Sequence, residues 1–98
     1  MSWSIYLLRC GDGSLYTGIA TDVDRRLEAH RQGTGAKYVR GRGPLELLFS
    51  RVVGDRGFAL SAERRLKQLS PARKEALAAD REAFDAWLEE RFEEWADH

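Results

Sequence analysis

The chain has 98 residues, 43% of them hydrophobic and 33% charged, the scale of one globular domain around a single core. No apolar run nears the roughly twenty residues of a membrane span, and the first residues lack the basic stretch and long apolar core of a signal peptide. The lone Cys10 excludes an internal disulfide, so the cytoplasm is the expected location. Net charge is zero, yet residues 1–74 hold 14 Lys/Arg against 7 Asp/Glu and residues 75–98 hold 2 against 9. A basic body with an acidic tail suits a polyanionic partner, nucleic acid first.

In chain order, Trp3 to Cys10 is a largely apolar run followed by Gly11-Asp12-Gly13, and Ser14 to Ala20 resumes with β-prone Leu15, Tyr16, Thr17 and Ile19. The pair predicts an antiparallel hairpin. Thr21 or Asp22 caps a helix to about Arg31, which Gly33 and Gly35 terminate. Ala36 to Gly43 is a basic, glycine-rich loop, and Leu45 to Val53 a third strand. After the break at Gly54 to Gly57, apolar residues at 59, 62, 66 and 69 predict an amphipathic helix from Phe58 to Leu69. Ser70-Pro71 opens a short helix through Ala79, and Asp80 caps a last one with Phe84, Trp87, Leu88, Phe92 and Trp95 along one side. The expected fold is α+β: a small three-stranded antiparallel sheet flanked by helices, in the order β-β-α-β-α-α-α. Residues 1–79 form the main body and residues 80–98 an acidic amphipathic helix packed on the same domain.

Tyr6 and Tyr16 stand on adjacent strands of one hairpin, so their rings lie side by side if the register places them on one face. Gly18 shares that face and leaves room beside the ring. Asp22, Arg26 and His30 follow at i, i+4 steps along one helical stripe, with Val23 and Leu27 on the next. Arg26 and His30 are therefore expected at the edge of the core. Glu63 has Ala59, Leu60 and Leu66 as helical neighbours, so its carboxylate borders an apolar stripe, tied to a cation or held for chemistry. The plainer alternative is an i, i+4 pair with Lys67, worth about 0.3 kcal/mol.

Singly, these residues have structural explanations: half-buried packing tyrosines and a surface or capping histidine. Together, two phenols, an arginine, a histidine and a carboxylate beside a basic loop form a set suited to phosphodiester hydrolysis. The carboxylate suits one hard, largely hydrated divalent cation such as Mg²⁺. The guanidinium offsets charge growing on phosphorus, and a phenol serves as base once its phenolate is stabilised. In the loop, Lys37, Arg40 and Arg42 suit phosphates and Tyr38 suits the face of a base; the alternative is a solvated connection with Tyr38 against the sheet.

Four segments in this order resemble the GIY-YIG endonuclease superfamily, in particular its small stand-alone bacterial members such as the UPF0213-like group. They are Ser4-Ile5-Tyr6, Tyr16-Thr17-Gly18, TDVDRRLEAH (21–30) and AERRLKQL (62–69), within a resemblance covering roughly residues 3–75. The resemblance implies a metal-dependent DNA nuclease of repair or processing. It implies Tyr16 as general base with Tyr6 alongside, Arg26 on the scissile phosphate, His30 assisting water or leaving group, and Glu63 as ligand of one Mg²⁺ or Mn²⁺. Arg25, Lys37, Tyr38, Arg40, Arg42 and Lys67 are the expected DNA-binding set, with RNA left open as a substrate. Ser4 and Thr17 depart from the signature triplets, and the chain has no Asn, where many members carry one after the metal glutamate. That absence supports the alternative of a non-catalytic nucleic-acid-binding module, and the acidic last helix leaves open a protein partner.

Overall fold

The computed structural model describes residues 2–96, and side chains for residues 2–90. Strands β1 (Trp3–Arg9) and β2 (Leu15–Ala20) pair antiparallel. Their turn is closed by Cys10 N–H donating to Ser14 O (2.8 Å) and Gly13 N–H donating to Cys10 O (2.9 Å). Gly13 sits at φ 86°, a left-handed conformation that a side chain disfavours. Strand β3 (Glu46–Gly54) pairs antiparallel along the other side of β1, giving the order β2-β1-β3. The central position explains β1: Ser4 to Leu8 are all buried, so the strand reads as a nearly continuous apolar run rather than an alternating one. Sheet and element order agree with the sequence-based expectation.

Successive side chains leave opposite faces of the sheet. Ile5, Leu7 and Phe49 pack with Ala62 and Leu66 of α2 (Arg56–Lys67), Leu77 of α3 (Pro71–Ala79), and Phe84 and Trp87 of α4 (Arg81–Ala96). Tyr6 and Leu8 turn the other way, into a smaller cluster with Ala20, Leu27 of α1 (Val23–Arg31) and Val39. Val39 ends a single 3₁₀ turn, Lys37–Val39, which pins the basic loop to the sheet. The loop is thus anchored at Val39 while Lys37 and Arg40 stay exposed.

Side-chain caps start the helices: Asp22 accepts from Arg25 N (3.1 Å), Asp55 from Phe58 N (2.8 Å), Ser70 from Arg73 N (3.2 Å) and Asp80 from Ala83 N (3.2 Å). The Asp55 cap starts α2 at Arg56, two residues before the apolar periodicity begins, because the carboxylate supplies the acceptor a helix start needs even with Gly57 in the first turn. Phe84 packs against Phe49 with ring centroids 4.2 Å apart and planes tilted by 55°, and Asp85 accepts two bonds from Arg51, of 2.8 and 3.2 Å. Phe92 and Trp95 lie outside the residues whose side chains are described.

Candidate active site

Register decides the centre of the site. Tyr6 pairs with Gly18 and Tyr16 with Leu8, so the two tyrosines are diagonal neighbours on the face that α1 covers, ring centroids 6.2 Å apart. Gly18 is required by proximity: a Cβ there would stand 2.5 Å from Tyr6 Cζ. The Tyr6 ring therefore lies across the strand opposite it. Tyr6 is 1% exposed while Tyr16 is half-buried, so the pair presents one enclosed and one accessible phenol.

Helix α1 brings His30 beneath them. The sequence placed His30 at the core's edge, but it is 3% exposed, because the chain after α1 folds back over the ring. Ala36 N–H donates to His30 Nδ1 (3.1 Å), and Tyr6 Oη lies 2.8 Å from His30 Nε2. A backbone amide can only donate, so Nδ1 is the acceptor and Nε2 carries the proton. His30 is neutral and donates to the Tyr6 oxygen, which turns the Tyr6 proton away from the imidazole. Gly35 makes this closure sterically allowed: a Cβ there would lie 2.8 Å from His30 Cγ. Burial, then the Arg26 charge, holds the His30 pKa below its ordinary value.

The remaining groups ring the accessible phenol. Tyr38 stacks on Tyr16 (5.7 Å, 26°), and the Arg42 guanidinium lies 4.5 Å over the Tyr38 ring. Arg42 also donates to Asp12 Oδ2 (2.5 Å), tying the basic loop to the hairpin turn. Hydrogen bonds from Ser14, then Arg42, hold the Asp12 carboxyl down at about 2. Arg26 is exposed on α1, and its charge lowers the pKa of both phenols. Burial outweighs it: the Tyr6 pKa is pushed up to about 12 by burial and by the Tyr16 charge. Tyr16 is raised by burial, with Arg26 pulling down and the Glu63 carboxylate pushing up.

Glu63 comes from the other side of the sheet's edge, on α2. Its side chain keeps 18% exposure, and Lys67 Nζ is 3.8 Å from its carboxylate, a long and weak pair. Among the described residues no three metal-ligating side chains converge, so a cation at Glu63 would have one protein carboxylate with water or phosphate oxygens completing its shell. That donor set fits Mg²⁺, which dehydrates reluctantly and needs few protein ligands.

Of the residues predicted from the sequence, Tyr6, Tyr16, Arg26, His30 and Glu63 form one electrostatically coupled group, with Tyr38 and Arg42 stacked on it and Lys67 beside Glu63. Arg25, Lys37 and Arg40 are exposed and make no ion pair among the described residues. The amide of Ala36 was missed because a backbone donor carries no side-chain signal; only the neighbouring glycines hinted at a close approach. The Asp12–Arg42 tie, spanning 30 residues, was invisible for the same reason that any long-range pair is.

The GIY-YIG catalytic domain family matches residues 2–76. The chain is 54% identical over 86 residues to the UPF0213 protein YhbQ of Salmonella typhimurium, covering 88% of this chain and 86% of that one. It is likewise 54% identical over 82 residues to YhbQ of Escherichia coli, covering 84% and 82%. Two solution NMR structures share the fold. The UPF0213 protein BH0048 of Bacillus halodurans is 46% identical, with a TM-score of 0.52 over 81% of this chain and 84% of that one. The protein EF2693 of E. faecalis is 38% identical, with a TM-score of 0.56 over 78% and 81%. With the signature tyrosines on one face of the hairpin and the family's catalytic domain matching most of its length, the chain belongs to the GIY-YIG family, whose domain is of nuclease type.

Proposed function

We propose that this protein is a divalent-metal-dependent nuclease that hydrolyses phosphodiester bonds of DNA, serving repair or processing of DNA in the cytoplasm. The observation that carries the reading is the hydrogen-bonded Tyr6–His30 pair beneath Tyr16, with Arg26 and Glu63 both acting electrostatically on that accessible phenol. Tyr16 takes a proton from the attacking water as the water oxygen bonds to phosphorus and the bond to the leaving oxygen breaks. Tyr6, held protonated by burial and oriented by His30, offers its O–H toward Tyr16 and steadies the phenolate. Arg26 binds the scissile phosphate and offsets its growing charge. Glu63 would hold the Mg²⁺ or Mn²⁺, which when bound supplies Lewis-acid stabilisation of the phosphate and offsets the Glu63 charge that adds to burial in raising the Tyr16 pKa. His30 acts through Tyr6 rather than on water or the leaving group, since both its nitrogens are engaged. Lys37, Arg40, Arg42 and Arg25 meet backbone phosphates around this centre, and the acidic face of α4 stays outside the DNA path, available to a protein partner.

End-labelled single-stranded, duplex, flapped and branched DNA, incubated with Mg²⁺, Mn²⁺ or EDTA, tests the reading. Wild-type protein is expected to give metal-dependent products and Glu63→Gln less than about 1% of them, with binding retained, since the lost stabilisation is several kcal/mol. Equal cleavage by the variant overturns the assignment. Salt-sensitive binding without any product would favour the binding-module reading, which the absent Asn supports.

A further inference from the structure

At the open end of the hairpin, where β1 begins and β2 runs into α1, lies a cleft of about 420 Å³ lined by Trp3, Ile19, Asp22, Arg25, Arg26 and Ala29 among others. It is large enough for a nucleoside. Its chemistry is divided: an indole and aliphatic side chains make the wall, and two guanidiniums stand at the rim. Arg56 adds a third cation, 5.7 Å over the Trp3 ring. The one acid, Asp22, is committed to capping α1 through Arg25 N (3.1 Å). Neither Arg25 nor Arg26 has a carboxylate partner among the described residues. An aromatic face among unpaired arginines is the pattern that takes a flat, uncharged ring carried on a phosphate chain.

Continuity with the reaction centre sets what that ring is. Arg26 both lines the cleft and acts on the Tyr6 and Tyr16 phenols. A strand whose phosphate sits at Arg26 therefore has its neighbouring nucleotide beside the cleft. A base paired and stacked within a duplex could not leave to enter it without paying for its unpairing.

Building on the reading of the protein as a DNA nuclease, we propose that this cleft is a nucleobase subsite: Trp3 stacks on an unpaired base adjacent to the phosphate held by Arg26, while Arg25 and Arg56 meet the flanking phosphates. The substrate class that follows is DNA with an unpaired nucleotide at the cut, such as an overhang, a flap or a single strand. Trp3 is then a specificity residue, not part of the bond-breaking machinery.

The test is a binding measurement in EDTA with the full chain, independent of cleavage. Three labelled oligonucleotides are compared: a blunt duplex, the same duplex with a short single-stranded overhang, and that overhang with abasic residues. Wild-type protein is expected to bind the overhang at least about fivefold more tightly than its abasic counterpart, the ratio lost stacking of one base gives. Trp3→Ala should collapse that ratio towards unity and leave blunt-duplex affinity unchanged. Trp3→Phe, which keeps an aromatic face and guards against a folding artefact, should retain most of it. A wild-type ratio near unity, or equal weakening of all three ligands by Trp3→Ala, overturns the subsite. Should the overhang preference hold while no metal-dependent product forms, the subsite stands and the nuclease reading is the one that fails.

Discussion

His30 shows how one side chain's chemistry is fixed by atoms that are not side chains. Its Nδ1 is occupied by the Ala36 amide and its Nε2 by Tyr6, while Arg26 from its own helix, the Tyr16 ring and the Gly35 backbone surround it. Among the described residues no carboxylate pairs with the imidazole, so protonation is resisted in the folded state and accepted in the unfolded one. The native pKa lies below the free value of 6.5. Stability from this group is therefore complete above about pH 6.5 and is lost as pH falls through the native value. Urea unfolding midpoints at about pH 7 and pH 5 should show a decline in wild-type protein that is shallower in His30→Gln. Long-range nitrogen NMR of the wild-type protein should show one fixed tautomer, with the proton on Nε2 and Nδ1 accepting from the Ala36 amide.

At the scale of elements, the hairpin turn and the basic loop act as one unit. Arg42 bonds Asp12 while its backbone oxygen accepts from Gly11 N (2.5 Å), and its guanidinium covers Tyr38, which covers Tyr16. An exposed ion pair of this kind contributes about 0–1 kcal/mol, so its importance is in where it parks a cation and an aromatic ring. Asp12→Asn keeps an oxygen acceptor for Ser14 but gives up the charge that competes with phosphate for Arg42. Thermal stability should change little. DNA affinity should rise, with the slope of log affinity against log salt steeper by about 0.9, one additional phosphate contact. An unchanged slope would mean Arg42 already leaves Asp12 for DNA in the wild type.

At the scale of the whole molecule, the family match ends at residue 76, but the apolar core does not. Phe84 and Trp87 of α4 are 1% and 5% exposed and fill the same cluster as Ile5, Leu7 and Leu66. We infer that the last helix is a required wall of this domain. Phe84→Ala should cost about 3–5 kcal/mol, much of the about 5–15 kcal/mol a domain has in total. A urea midpoint measurement checks this, and removal of residues 80–98 should leave a chain without cooperative unfolding. A truncated chain that still melts sharply would show the helix to be an appendage.

Hydrophobic periodicity and capping chemistry are local, so the sequence alone determined the strands, the helices, their order and the residue types of the site: Tyr6, Tyr16, Arg26, His30 and Glu63. The signature triplets carried the family by residue type and spacing, while the register, Tyr6 opposite Gly18 and Tyr16 opposite Leu8, set their tyrosines on one face. Boundaries moved by one or two residues, at the start of α2 because the Asp55 cap overrode periodicity. Depth, pairing and proton position depended on contacts between segments distant in the chain. Tertiary structure buried His30, gave its Nδ1 to the Ala36 amide and turned the Tyr6 proton away from it. It also stacked Tyr38 on Tyr16 and opened a cleft between Trp3 and Arg25. A backbone amide is the same at every position, and a cleft is a space between elements. Neither leaves a mark in the sequence, because both come into being only when the chain closes on itself.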